Sequence, residues 1–510
     1  MSSAAPAVRM RGIHKRFGAV QANVDVALHV APGTVHGIVG ENGAGKSTLM
    51  SVLYGFYRAD SGQIDVFGKP ANIRNADDAI ALGIGMVHQH FMLVDTLSAL
   101  ENVMLGAEPH WLLARAQAAV RVKLEALMQA TGLQLDLDSL VADLAVGDRQ
   151  RLEILKTLYR GAKILILDEP TAVLTPQETG HLFQVLDLLR KQGTTIVLIT
   201  HKLKEVMRLC DRVTVMRAGR VVHDLPVADA SIESLAEAMV GRKVNIGRDH
   251  VDDGSPGPVL LQARNLQVRD ALNVTRLKGL NLSLRSGEIV GVAGVSGNGQ
   301  SELLDLLSGL LQPSSGQLEI GGRTFEAGQW LDPGTARQLG LAHVPEDRHA
   351  RALVMNFPAW ESAVLGYDGL PEYGHGGWLN HQHMHRATEQ YMERFDVRPR
   401  NPELPSSKFS GGNQQKLVLA RELGQAPKVL LVGQPTRGVD IGAIEFIYSQ
   451  LRALRKAGCA VLLVSSELDE ILALSDRVIV MYQGAVTGEL PIADCNETRL
   501  GMLMLGGGVQ

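Results

Sequence analysis

Cysteine is scarce. The chain of 510 residues has three, Cys210, Cys459 and Cys495, too scattered for a disulfide framework or a metal-ligand cluster. That usage fits a reducing compartment, with each thiol expected to act as a small buried hydrophobe. Long hydrophobic runs are missing too. No stretch approaches the roughly 18–20 apolar residues needed to cross a bilayer. The longest, such as residues 164–167 and 429–432, have the length of buried strands. The opening MSSAAPAVRM has no apolar core of a secretory signal. Nor does one charge dominate: 50 Lys and Arg stand against 54 Asp and Glu, a net charge of −4. No global positive field therefore favours nucleic acid or anionic lipid. The expectation is a cytoplasmic protein that reaches a membrane only through a partner.

What the chain does contain is a substantial core and a repeat. Hydrophobic residues make up 45% and charged residues 20%, ordinary for a folded protein, and the length suggests about two to four domains. GTVHGIVGENGAGKSTLMSVLYG (33–55) returns as GEIVGVAGVSGNGQSELLDLLSG (287–309), and LILDEPTAVLT (165–175) as LLVGQPTRGVD (430–440). LITHKLKEV (198–206) returns as LVSSELDEI (463–471), and DRVTVMRAG (211–219) as DRVIVMYQG (476–484). Order and spacing hold across all four blocks, with a short insertion in the second copy, so two homologous domains are expected. A Gly-, Pro- and Asp-rich stretch separates them, giving domains at 1–245 and 259–510 and a linker at 246–258. Short Val/Ile/Leu strands alternate with helical patterns in each copy, which implies an α/β fold with a largely parallel sheet.

The first copy carries a phosphate-binding pattern. Gly40-Glu41-Asn42-Gly43-Ala44-Gly45-Lys46-Ser47 fits G-x-x-x-x-G-K-[ST], with an apolar strand before it and a helix from Lys46, and Thr48 follows. Gly40, Gly43 and Gly45 let backbone N–H groups curl around phosphate oxygens at a helix N-terminus. Lys46 is expected to reach the β- and γ-phosphates and Ser47 to ligate Mg²⁺. A bland glycine-rich turn is the competing reading, and the flanking strand and helix count against it. Farther on, an apolar strand ends in Asp168 and Glu169. Asp168 is placed to hold Mg²⁺, directly or through water, and Glu169 to polarise an attacking water. Alone, such a pair is often a solvated turn; after a P-loop, in the form Asp-Glu-Pro-Thr, it is specific.

Taken together, these motifs resemble the ATP-binding subunits of ABC transporters over nearly the whole chain. The resemblance implies two tandem nucleotide-binding domains, each a RecA-like α/β core with a helical subdomain and a small antiparallel β subdomain. It also implies further roles. Gln89 in MVHQH would be the intervening glutamine, catalytic and on the metal. His201 in LITH would be the γ-phosphate switch, and Phe17 in KRFGA would stack on adenine. On their own, Phe17 reads equally as strand packing and His201 as a strand-end structural histidine.

The second copy has the loop shape without its charges. Gln300 stands for Lys46, Gly433-Gln434 for the acidic pair, Ser466 for His201 and Glu346 for Gln89, and no aromatic lies near Ala271. These changes remove the charged groups that phosphoryl transfer relies on, so this copy is not expected to hydrolyse ATP. The signature segments are reversed. Phe409-Ser410-Gly411-Gly412-Asn413-Gln414-Gln415 is nearly intact, whereas Leu144-Ala145-Val146-Gly147 has lost the serine. In the family, a signature segment closes over nucleotide held by the other domain. Intramolecular pairing would then bring Ser410, Gly411, Gly412 and Gln414 to the ATP held at Lys46. Asp440, kept in RGVD where the first copy has Thr175, agrees with this.

GNQQK after the second signature and PTRGVD resemble the ATPases of bacterial simple-sugar and nucleoside importers. GNGQSEL with GQPTRGVD, and residues 87–106, lean towards the purine-nucleoside branch over ribose- or galactose-type members. The partners so implied are two integral permease subunits and an extracytoplasmic solute-binding protein, with the chain peripheral at the cytoplasmic face of the inner membrane. Two other classes compete: a soluble twin-domain ATPase acting on ribosomes or DNA, and an adaptor in which neither site turns over. The short acidic linker and lack of a basic patch count against the first. The complete set in the first copy counts against the second.

Overall fold

A computed structural model describes the chain except residues 1–4, 89–90, 108–112, 172–173, 175, 245–246, 248–255, 271, 296, 376–377, 505 and 508–510. The chain forms two compact units, Met1–Val244 and Asn245–Gln510. Most of the stretch expected as a linker, 246–258, lies outside the described residues. No helix among the described residues is long and apolar enough to cross a membrane.

In the first unit the strands run β1 Val8–Phe17, β2 Val20–Val30, β3 Val35–Val39, β4 Ser61–Val66, β5 Lys69–Ala71, β6 Ile84–Val87, β7 Ile164–Asp168, β8 Thr195–Ile199, β9 Arg212–Arg217 and β10 Arg220–Pro226. They make two sheets. One is antiparallel, ordered β2-β1-β4-β5, and β1 alternates buried Val8 and Met10 with exposed Arg9 and Arg11, the pattern of a sheet with one face on the core. The other is ordered β10-β9-β3-β8-β7-β6, parallel throughout except for the antiparallel edge strand β10. Every residue of β3, β7 and β8 is buried, as continuous apolar runs must be when layers cover both faces.

The register decides where the chemistry sits. Val35 pairs with Ile196 and Asp168 with Ile199, so β3, β8 and β7 end together. The Gly40 loop, Thr200-His201 and Asp168-Glu169 thus emerge side by side at the carboxyl ends of neighbouring parallel strands, where open α/β sheets bind ligands. Between β6 and β7 lies a helical layer of Ala99–Met104, Leu113–Thr131 and Val146–Tyr159. A capping box of Ser98 and Glu101 starts its first helix.

The second unit repeats this plan. Its antiparallel sheet is Thr275–Arg285, Val259–Arg269, Ser315–Ile320 and Arg323–Glu326 in spatial order. Its larger sheet runs Leu341–Val344, Val429–Gly433, Ala460–Ser465, Ile289–Ala293, Arg477–Tyr482 and Ala485–Pro491. The α/β class, the small antiparallel part and the helical part expected from the sequence are therefore all present. Cys210 and Cys459 are buried as anticipated, but Cys495 is only half-buried, because it follows a short surface turn, Ile492–Asp494.

Phe395 is the largest fully buried side chain, packed edge-on to Phe446 with ring centroids 6.0 Å apart. Truncation there leaves a cavity that the surrounding helices cannot close. Phe395→Ala is expected to cost about 3–5 kcal/mol, read as a lower denaturant midpoint for the second unit with that of the first unchanged.

Candidate functional site

The P-loop of the first unit is shaped by its glycines. Gly43 and Gly45 take φ of +81° and +97°, a region that side chains avoid. A Cβ at Gly45 would fall 2.2 Å from the Ala22 carbonyl oxygen, and one at Gly40 would fall 2.3 Å from that of Met216. The loop therefore lies against β2 and β9 so closely that only glycine fits. Asn23 pins it further, its side-chain amide donating to the Gly45 carbonyl at 3.0 Å. The helix Lys46–Tyr54 starts directly after, so its first N–H groups face the loop. Asn42, Gly43 and Ser47 are exposed at this mouth and Thr48 is half-buried.

Lys46 is buried, and its ammonium donates to the carbonyls of Gly40 and Glu41 at 2.8 and 3.0 Å. These charge-assisted bonds hold the cation beneath the loop. Ser47 Oγ donates to Asp168 Oδ1 at 3.4 Å. A hydroxyl and a carboxylate side by side are hard oxygen donors, a set that suits Mg²⁺. Burial pushes the Asp168 carboxyl above its ordinary value and the nearby Glu169 charge adds to this, against pulls from Ser47 and Lys46.

Glu169 has φ of +48°, strained for a residue with a Cβ. Its backbone N–H donates to the Ile199 carbonyl at 2.9 Å, which fixes the turn. The side chain meets His201, with Nδ1 3.0 Å from Oε1. Burial would raise Glu169, but the His201 bond with the Lys46 and Lys202 charges outweighs it and holds the carboxyl below its ordinary value. An ionised carboxylate only accepts, so His201 carries its proton on Nδ1 and turns Nε2 outward.

Phe17 closes the end of β1, 41% exposed and edge-on to Tyr57 at 5.0 Å, with the Lys15 ammonium 5.4 Å from its ring. Lys46, Ser47, Asp168, Glu169 and His201 thus meet at one sheet end. Gln89, like Thr175 and Ala271, lies outside the described residues.

In the second unit the same places hold other atoms. Gln300 is buried and donates its amide to the Val295 carbonyl at 3.1 Å, as Lys46 does to its loop but without charge. Gln434 repeats the strained φ of +48° and accepts from Ser466 Oγ at 3.1 Å. The carboxylate near the P-loop serine has moved. Ser301 Oγ donates to Glu346 Oε2, and a Cβ at Gly433 would fall 2.5 Å from Glu346 Cγ. Aligned positions alone read Glu346 as a lost glutamine, whereas in space it fills the gap left by the missing aspartate.

The second unit's signature opens the helix Gly411–Gly424, with Ser410 at its N-cap accepting from the Asn413 amide at 2.9 Å. A Cβ at Gly411 would fall 2.8 Å from Arg348 Nη2, the far end of a flexible side chain, and 3.0 Å from the Gly438 carbonyl oxygen. Gln414 is 4% exposed, with Oε1 2.8 Å from His349 Nε2 and its amide donating to the Ser406 carbonyl at 3.1 Å. The structure makes it a support beneath the segment, with both ends of its amide engaged. In the first unit Ala145 caps the equivalent helix without a side-chain bond.

Comparison with known proteins supplies the family. The family model described as ABC transporter matches twice, at residues 24–172 and 277–437. The chain is 42% identical to the nucleoside import ATP-binding protein NupA of Lactococcus lactis, over 98% of each chain. It is 43% identical to the guanosine import ATP-binding protein NupO of Bacillus subtilis, over 98% of this chain and 97% of that one. It is 41% identical to the glucose import ATP-binding protein TsgD13 of Haloferax volcanii, over 99% of this chain and 96% of that one. A doubled family match and full-length relatives on a doubled P-loop fold have one reading: the chain belongs to the ABC transporter family and carries two of its ATPase cassettes in one polypeptide.

Proposed function

We propose that this chain is the energy-coupling ATPase of an importer for nucleosides or simple sugars, with hydrolysis confined to ATP held by the first unit. One observation carries the confinement: Lys46, Asp168, Glu169 and His201 assemble in the first unit, while Gln300, Gly433, Gln434 and Ser466 occupy those places in the second. In the first unit Lys46 and the loop amides bind the phosphates and Phe17 takes the adenine. Ser47, Asp168 and Gln89 would hold Mg²⁺, which when bound neutralises charge on the transferring phosphoryl group. Glu169 accepts a hydrogen bond from the attacking water and polarises it, while His201 fixes its carboxylate and offers Nε2 towards the γ-phosphate.

The complementary losses in sequence support pairing of the two domains, with Ser410, Gly411 and Gly412 serving the nucleotide at Lys46. The names of the full-length relatives favour import; those at 42% and 43% identity are named for nucleoside and guanosine import, the one at 41% for glucose and those at 34–39% for ribose. On this reading the chain is peripheral at the cytoplasmic membrane face, bound to two permease subunits and dependent on an extracytoplasmic binding protein. No nucleic acid is involved. In a reconstituted complex with those partners, ATP turnover is expected to rise on adding purine nucleoside. Stimulation by ribose or galactose instead would overturn the nucleoside branch, and co-purification with ribosomes in place of a permease would overturn transport altogether.

A further inference from the structure

Glu205 lies on the helix Leu203–Leu209, 7% exposed, and has no part in the chemistry above. Its two carboxylate oxygens serve two different loops. Oε1 accepts from Thr171 Oγ1 at 2.5 Å, and Oε2 accepts from Thr200 Oγ1 at 3.1 Å. Thr171 follows Glu169 by one proline, and Thr200 immediately precedes His201. Thr200 Oγ1 also accepts from the Lys202 N–H at 3.0 Å, closing the turn that bears the histidine. Burial pushes this carboxyl above its ordinary value, against the pull of the two hydroxyls and of Lys202. Burying a carboxylate is costly, so what it holds in return matters.

The second unit supplies the comparison. Glu470 holds the same place on the helix Leu468–Leu474 and is 1% exposed. Neither of its oxygens has a hydrogen bond of ordinary geometry. Burial pushes its carboxyl up to about 7, with the Ser465 and Thr436 hydroxyls pulling the other way. The fold thus accommodates a buried carboxyl here without a closed clamp. Thr436 and Ser465 face Glu470 as Thr171 and Thr200 face Glu205, but without the short bonds that close the clamp in the unit that has Glu169 and His201.

We infer that Glu205 is a positioning residue for hydrolysis: by tying Thr171 to Thr200 it sets the 3.0 Å contact between Glu169 and His201. The inference rests on the hydrolytic roles proposed for that pair. Glu205→Gln keeps the volume but removes the charge and leaves one accepting oxygen, so one hydroxyl has to turn round and accept from the amide. The bond to that loop is reversed and both bonds lose their charge assistance.

In the full-length chain, Glu205→Gln is expected to lower kcat for ATP about ten- to a hundredfold, the range expected when a reacting group is displaced by a fraction of an ångström to an ångström. KM for ATP should stay within about twofold, because the phosphate loop is untouched. Thr200→Val, which removes the donor to Glu205 and the acceptor of the Lys202 N–H at nearly constant shape, should act in the same direction, and the double variant should lose less than the product of the two. Glu470→Gln should leave kcat unchanged, although its carboxyl is the more deeply buried.

An unchanged kcat in Glu205→Gln would overturn the inference. So would an equal loss in Glu470→Gln, or a parallel change in KM and melting temperature, each of which signals general destabilisation. If Glu205→Gln does not fold, Thr200→Val alone decides, and normal turnover in it refutes the clamp. Glu169→Gln measured alongside separates the two failures: its retaining turnover would sink the catalytic reading, whereas its losing turnover while the clamp variants keep theirs would sink only the positioning role.

Discussion

Glu169→Gln is expected to lower ATP turnover about 10²- to 10⁴-fold, the usual contribution of a positioned general base, while ATP still binds. The amide keeps the shape of the carboxylate, and its oxygen can still accept from His201 Nδ1, now 3.0 Å from Glu169 Oε1. What disappears is the charge. The environment holds Glu169 ionised, through His201, Lys46 and Lys202 acting against burial, and a neutral amide has no such basicity to lend a water molecule. Lys46 and the glycine loop stay in place, so a fluorescent ATP analogue should bind as to the parent chain. Steady-state hydrolysis and equilibrium binding on one preparation make the test. Hydrolysis persisting near the parent rate would overturn the role of Glu169 as base, and with it the confinement of turnover to the first unit.

The second large effect separates the two P-loops. Lys46→Ala removes a buried ammonium that bonds two loop carbonyls. A hydrogen bond to a charged group is worth about 1.5–3 kcal/mol, and two carbonyls and the phosphates lose their partner together. Nucleotide affinity at the first unit is expected to fall at least about tenfold to a hundredfold on that scale, with turnover following. Gln300→Ala removes one neutral amide bond to Val295 and should leave most turnover intact. Complete loss of turnover in Gln300→Ala would show that the second loop is essential for hydrolysis and would end the one-site account.

Much of this site was legible in the sequence because its parts are contiguous. Residues 40–47 specify strand, glycine turn and helix within one short span, and the structure returns that order with Gly43 and Gly45 in the left-handed region. The acidic pair was legible for the same reason, as an apolar strand with charge at its end. The order of the large sheet was not. β3 lies between β8 and β9, which are remote in the chain, and only packing of both faces fixes that arrangement. Glu205 escaped notice because its partners, Thr171 and Thr200, sit on loops brought together by that same sheet. Its recurrence as Glu470 in the repeat was the available signal. The alignment placed Glu346 opposite Gln89 but could not show that its carboxylate bonds Ser301 and packs against Gly433, since those contacts join separate stretches of the chain.

The crowding around Gly433 also bears on how the second cassette changes over time. A side chain restored at that position would begin 2.5 Å from Glu346 Cγ and 2.8 Å from Leu304 Cδ1, with the Glu346 backbone nitrogen at 3.1 Å. Reinstating the aspartate therefore requires the Glu346 side chain to move aside, and neither step returns hydrolysis without a base at Gln434 and a cation at Gln300. Every single reversion passes through a more crowded or equally idle intermediate. The second half is thus kept idle partly by its own packing, and any attempt to rebuild a second active site has to reckon with residue 346 as well as with the P-loop.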